Sequence, residues 1–261
     1  RVYRYPSNNL NTLYKETEVF ESLFKKYDRI IFFDTETTGF DSDKDDQIIE
    51  LAAVCMGKDG SEESFDDFIQ LHTKAGLPDE IIKLTGITDL QLATQGIPEE
   101  DAIRKLINMM EPWDAFVNGN TLLVAHNAQF DLMFFCYAIL RHKKKNPGWL
   151  RVFNDADYLD TLTVYRDRHK FPHRLENAIE QYGLGAKVEN SHRAIDDCRA
   201  LFEVAKAMEA EKDDLAGYIN IFGYPAKYGV SGRKLKKVTY LEQGFSNYSG
   251  KTLPEQLSRK Q

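Results

Sequence analysis

Two carboxylates two residues apart, Asp34 and Glu36, follow directly on the apolar run Ile30-Ile31-Phe32-Phe33. Four apolar residues bounded by polar ones predict a strand buried on both faces, and residues two apart on a strand point to the same side. Two negative charges are therefore expected to converge where the strand ends, a repulsive arrangement unless a cation or a shared proton intervenes. The simpler alternative is a solvated strand end closed by a turn at Gly39.

Two further groups raise the same question. His126-Asn127-Ala128-Gln129-Phe130-Asp131 follows an apolar run and opens a helix, with Asn127 as a natural cap and Asp131 about one turn in. Asp131 is either a site acid or an acid that favours the positive end of the helix dipole. In the stretch 191–199, two adjacent acids are separated by helical phase at about 100° per residue. Ala194, Ile195, Cys198, Leu201, Val204 and Met208 share one face; Asp197 falls within it, whereas Asp196 falls opposite, among Arg199, Glu203 and Lys206. An inward carboxylate needs a partner, and either Arg193 at helical spacing or a metal ion could supply it.

Asp34, Glu36, Asp131 and Asp197 together make a consistent site for a hard cation, because carboxylate oxygens are the ligands that Mg²⁺ and Mn²⁺ prefer. Two such ions can clamp the attacking and leaving oxygens of a phosphodiester. His192, with an ordinary pKa of about 6.5, can take a proton from the attacking water. The chemistry suggested is metal-assisted phosphodiester hydrolysis.

Positioning these groups requires a definite order of elements. A helix capped at Asn11 or Thr12 is expected to reach about residue 26, followed by the strand ending at Asp34. Apolar runs at 48–55 and 64–71, separated by Lys58-Asp59-Gly60, predict an antiparallel meander. Short helices at 78–84 and 89–94, a longer one from Pro98, a strand at 122–125 and a helix over 127–144 come next. A strand at 158–160 and helices at 162–168, 175–182 and 191–212 complete the pattern. Strands in a meander, then strands alternating with helices, indicate an α/β domain with a mixed central sheet flanked by helices.

The totals are compatible with one such domain and an appendage: 261 residues, 42% hydrophobic and 29% charged. No run is apolar for long enough to predict a membrane span, and the first residues lack the apolar core of a secretion signal, so a cytoplasmic protein without membrane contact is expected. Three cysteines, each inside an apolar stretch, read as reduced and buried. A net charge of −7 argues against a generally basic nucleic-acid binder, yet leaves room for an enzyme whose metal ions meet the phosphate. The stretch 215–241 contains no acid and five basic residues, Lys227, Arg233, Lys234, Lys236 and Lys237, interleaved with Tyr218, Phe222, Tyr224, Tyr228 and Tyr240. It either contacts single-stranded nucleic acid or packs its aromatics on the core. The run 141–145 is also basic and reads as a solvated helix end.

Phe33-Asp34-Thr35-Glu36-Thr37-Thr38-Gly39, His126-Asn127-Ala128-Gln129-Phe130-Asp131 and His192-Arg193-Ala194-Ile195-Asp196-Asp197 resemble, in order, the three exonuclease motifs of the DnaQ-like DEDDh family. This family includes the proofreading subunit of bacterial DNA polymerase III. The resemblance spans about 29–212, and Leu84-Thr85-Gly86-Ile87-Thr88 also resembles a family segment near the substrate's terminal nucleotide. It implies a ribonuclease-H-like fold and removal of nucleoside 5′-monophosphates from a 3′ end, with two Mg²⁺ or Mn²⁺ ions as cofactors. By position, Asp34 would bridge both ions, Glu36 and Asp197 would hold the water-activating ion, Asp131 would help hold the other, and His192 would be the general base. Thr37, Gly39, Phe40, Thr85, Asn127 and Phe130 would contact substrate, while His126 either lines the pocket or fixes the strand end. Residues 1–27 then form an N-terminal helical extension, 28–212 the exonuclease domain, and 213–261 a basic and aromatic C-terminal extension. The expected substrate is single-stranded DNA, ahead of RNA. The alternatives are an RNA-trimming enzyme and a binding subunit associated with a DNA polymerase.

Overall fold

The computed structural model describes residues 19–40, 46–111, 120–188 and 193–221, and the backbone of 222 and 236–237. The turn residues at 58–60 do fold the chain into a meander of β1 (Arg29–Thr37), β2 (Ile48–Gly57) and β3 (Glu62–Phe68). On the other side of β1 lie β4 (Thr121–Ala125) and β5 (Asp157–Asp160), both parallel to it, giving the order β3-β2-β1-β4-β5. The expected mixed sheet is present. Its helices are α1 (Glu21–Phe24), α2 (Asp79–Thr85), α3 (Asp89–Gln95), α4 (Glu99–Met110) and α5 (Ala128–His142). After these come α6 (Trp149–Asp155), α7 (Thr161–Arg168), α8 (Leu175–Gln181) and α9 (Ala194–Glu211).

The alternation of β1 explains the layering. Ile30 and Phe32 pack with Leu201, Val204 and Ala205 of α9, while Ile31 and Phe33 pack with residues of α4 and α5 on the opposite face. All four β1 side chains are fully buried, and each contributes roughly 1.5–3 kcal/mol by leaving water. β1 is thereby clamped between two helical layers, which makes it a rigid carrier for Asp34 and Glu36.

Several expectations are corrected. The strand does not end at Asp34; it continues through Glu36 to Thr37. Helix α6 was not anticipated, because seven residues after Pro147-Gly148 give too short a period, although Trp149, Val152 and Phe153 fall on one buried face. The basic run at the end of α5 is not merely solvated. Arg141 Nη2 and Nε donate to the buried Glu99 carboxylate at 2.6 and 3.0 Å, and His142 Nε2 lies 3.0 Å from it. Of the expected N-terminal helix only α1 is seen, and 1–18 lie outside the described residues.

After α9 the chain remains on the body. Leu215 and Tyr218 are buried in the α9-side core, and the Tyr218 hydroxyl donates to Asp167 at 2.7 Å. Asn220, in a left-handed conformation at φ 57°, lies beside β5. Its N–H donates to Tyr158 O at 2.7 Å and its Oδ1 accepts the Tyr158 N–H at 3.0 Å. The next residues, β6 (Ile221–Phe222), pair with β7 (Lys236–Lys237). The basic and aromatic side chains singled out beyond Asn220, those of Phe222, Lys236 and Lys237 included, lie outside what the structure describes. Cys55, Cys136 and Cys198 are free and buried, as expected. Among the described residues no helix is long and apolar enough to cross a membrane.

Candidate active site

β1 outruns one of its neighbours. Its ladder with β4 stops at Phe32–Val124, whereas its ladder with β2 continues to Thr37. Past Phe32, the place a β4 residue would take is filled from the first turn of α5. There, Asp131 Oδ1 accepts the Thr35 N–H at 3.1 Å and the Thr35 hydroxyl at 2.6 Å. Asp131 is thus a buried acid that substitutes for strand pairing and stands next to Asp34.

Asp34 and Glu36 share the strand face of Ile30 and Phe32, which is the face covered by α9. Asp197 arrives from the first turn of α9, as the phase argument requires, and is 8% exposed. One carboxylate oxygen from each of Asp34, Glu36 and Asp197 lies within 4.8 Å of the others. The helix can approach because the strand beneath it is small: Ala52, beside Asp34 in register, packs with Ala194 and Cys198, and the Cys198 thiol donates to Ala52 O at 3.4 Å. Asp196 is outside this cluster. Arg193 does not pair with Asp197; its guanidinium is bound to Glu50 on β2.

Gathering these acids shifts their proton affinities. Burial, then the charges of Asp131, Asp197, Glu36 and Glu50, raises Asp34 well above the carboxylate range. Burial and the same neighbours raise Glu36 to about 8. Asp131 and Asp197 rise to about 7, again chiefly through burial. In the metal-free state the folded protein therefore keeps protons, up to pH 7 or 8, that the unfolded chain releases near pH 4. Where the folded state binds more protons, stability falls as pH rises. The thermal midpoint in EDTA is expected to drop by roughly 5–10 °C between pH 5 and 8.5, and a few millimolar Mn²⁺ should remove most of that slope by binding the charged form. Calorimetry at several pH values checks this; a midpoint flat or rising with pH in EDTA refutes it.

The start of α5 is set by an acid that sequence reading passed over. Asn127 occupies the cap position at φ 70° but makes no side-chain cap. Instead Asp160, at the end of β5, accepts the Asn127 and Ala128 N–H groups at 2.9 and 3.2 Å, the Leu162 N–H at 3.1 Å and the Thr163 hydroxyl at 2.6 Å. This one carboxylate fastens α5 and α7 to the sheet. Asp160→Ala would strand these buried donors and is expected to lower stability by about 3 kcal/mol in urea denaturation; a change within ±0.5 kcal/mol would contradict the assignment. Of the two readings for His126, the geometry serves fixation of the strand end. Its Nδ1 lies 3.0 Å from the Thr161 hydroxyl and its Nε2 2.9 Å from His173 O. The carbonyl can only accept, so Nε2 carries the proton, and burial lowers the ring's pKa.

The remaining site expectations divide. The Thr37 hydroxyl donates to Gly39 O at 2.7 Å. At Gly39 an added Cβ would fall 2.4 Å from Asp46 Oδ2, so the bare backbone is what admits Asp46. Phe40 is 77% exposed and rests edge-on against Phe130, their ring centres 6.2 Å apart. The Thr85 hydroxyl is spent inside its own turn, donating to Ile81 O and accepting from Ile87 N–H. Nearby, Leu84 and Leu90 are large hydrophobic side chains left exposed. His192 lies outside the described residues.

The donor set fits a divalent cation. Asp197 Oδ1 is buried without a hydrogen-bond partner, and among the described residues no Lys or Arg forms an ion pair with Asp34, Glu36 or Asp197. Such an uncompensated triad is costly unless protons or a cation neutralise it.

Comparison with known proteins points the same way. Residues 31–205 match the exonuclease family RNase_T. Over 182 residues the chain is 37% identical to the DNA polymerase III PolC-type of Clostridium perfringens, covering 69% of this chain and 11% of that protein. Over 194 residues it is 31% identical to the DNA polymerase III subunit epsilon of Treponema pallidum, covering 74% of this chain and 82% of that one. The chain thus spans about a tenth of the first relative and most of the second. Among solved structures, the zinc-bound complex of Escherichia coli exonuclease I with single-stranded DNA superposes with a TM-score of 0.60 at 19% identity, over 74% of this chain and 42% of that one. That likeness is one of fold, and the fold is ribonuclease-H-like.

Proposed function

The chain belongs to the RNase_T exonuclease family, and from that premise we propose that it removes nucleotides from the 3′ end of single-stranded DNA, releasing nucleoside 5′-monophosphates. The observation that carries this reading is the convergence of Asp34, Glu36 and Asp197 within 4.8 Å, with a buried oxygen of Asp197 left open. These three would hold divalent cations, Mg²⁺ or Mn²⁺, with Asp131 contributing from beside Asp34. The bound ions supply charge neutralisation of the phosphodiester and a water of lowered pKa. His192 would take that water's proton. Thr35 fixes Asp131 so that its charge is held beside Asp34, and the burial of Asp131 and Asp197 limits bulk water on that side of the site, while Asp34 and Glu36 stay partly open to substrate. Phe40, backed by Phe130, offers an exposed aromatic face to the terminal base, a contact that tolerates any base. Thr37, Gly39 and Asn127 shape the adjoining backbone. The likeness to the epsilon subunit supports a DNA polymerase chain as partner and a cytoplasmic location.

The test uses single-stranded DNA and RNA oligonucleotides labelled at their 5′ ends, incubated with Mg²⁺, Mn²⁺ or EDTA. A metal-dependent ladder that shortens DNA from the 3′ end faster than RNA supports the reading. Faster shortening of RNA replaces the substrate, and no shortening of either by folded, metal-bound protein overturns the activity.

A further inference from the structure

We propose that Glu50 is a positioning residue, which sets Asp197 against Asp34 and Glu36 by holding Arg193 and the N-terminus of α9. The inference rests on the reading of the acidic cluster as a divalent-cation site.

Glu50 is fully buried inside the apolar run of β2. Strand register places it directly beside Glu36 on one side and Phe68 on the other, so all three point toward α9. Yet Glu50 differs from the neighbouring acids in having both oxygens engaged. Oε1 accepts Arg193 Nε and Nη2 at 2.8 and 2.6 Å. Oε2 accepts the N–H of Ala194, the first residue of α9, at 3.1 Å. The Arg193 guanidinium also lies 4.9 Å from the centre of the Phe68 ring and 3.8 Å from Asp66. One carboxylate therefore gathers two strands and the end of a helix.

This arrangement suits a brace better than a ligand. Coordination by Glu50 would require breaking charge-assisted hydrogen bonds that already neutralise it. Asp197 lies three residues beyond Ala194 on the same helix, and a helix transmits a displacement of its end to its first turn with little loss. A shift of about 1 Å there is enough to spoil a ligand set. Arg193 is chosen over Lys for a physical reason: its planar fork fixes direction as well as charge.

The experiment measures Mn²⁺ binding by electron paramagnetic resonance of the free ion in wild type, Glu50→Gln, Arg193→Gln and the double variant, alongside Mn²⁺ titrations of DNA shortening. Each single variant should weaken Mn²⁺ binding about 10- to 100-fold, as loss of a ligand-orienting partner does, and the activity midpoint should move to higher Mn²⁺ by the same factor. The double variant should stay as weak as the weaker single. Its return to wild-type affinity would show that only charge balance mattered and would overturn the brace, as would unchanged affinity in both singles. A loss of folded protein without a shift in the Mn²⁺ midpoint likewise overturns it. Arg193 has a side chain 34% exposed, so its variant decides the matter if Glu50→Gln does not fold. Failure of wild type itself to bind Mn²⁺ or shorten DNA would count against the proposed function, whereas normal binding in every variant counts against the brace alone.

Discussion

Asp34→Asn should slow 3′ shortening of single-stranded DNA by about 10³-fold or more, and should also raise the thermal midpoint of the metal-free protein at pH 8. The two effects share one cause. Asp34 is the most crowded of the acids, with burial and four neighbouring carboxylates all opposing its ionisation. At pH 8 the folded protein must either carry that charge against its neighbours or retain a proton the unfolded chain has lost, and both destabilise it. An amide of the same shape removes that cost, but it also removes one of the anionic groups that would hold the cations. Oligonucleotide degradation with Mn²⁺ and calorimetry in EDTA give the two readouts. Wild-type turnover in the variant would sink the site assignment. A lower midpoint in EDTA would show that the acids are compensated in a way not seen in the structure.

Asp197→Asn is expected to lower activity by about 10²-fold or more, whereas Asp196→Asn should change it by less than about threefold. The residues are chemically identical neighbours, so composition cannot separate them and only helical phase does. Asp197 enters the cluster with Asp34 and Glu36, whereas Asp196 stays outside it. Comparable losses in both variants would mean that α9 is rotated from its described position, and the Mn²⁺ affinities of the two would then fall together.

These contrasts mark what the chain reveals before folding. The alternation at Ile30–Glu36 and the phase of α9 are local periodicities, and each acid they select points where the period says it should. What escaped notice depends on long-range pairing. Asp160 caps α5 from 32 residues away, and Glu50 caps α9 from 144 residues away. Neither cap leaves a mark in the sequence around the helix it serves. Asn127, which has the residue type of a cap, leaves that role to Asp160 because its backbone turns left-handed there. Glu50 did carry a signal: an acid within Ile48-Ile49-Glu50-Leu51-Ala52-Ala53 is a charge in a strand otherwise fit only for the interior, and such a charge must have a partner. Likewise, Arg141 and His142 had the composition of a surface tail, but their partner Glu99 lies at the start of a different helix.

The contact between Asn220 and Tyr158 bears on how the protein behaves when concentrated. An unpaired strand margin is a template on which a second chain can add, and such addition is the first step of ordered aggregation. Asn220 presents one acceptor and one donor to Tyr158 where a sixth strand would present the same pair, then turns away through its left-handed backbone so that no further ladder is offered at that residue. At the opposite margin β3 carries the exposed Glu62 and Glu63, whose charges repel a like strand. One margin is sealed by shape and the other by charge, so a chain cut back to the end of α9 would lose the first seal and gain a sticky side.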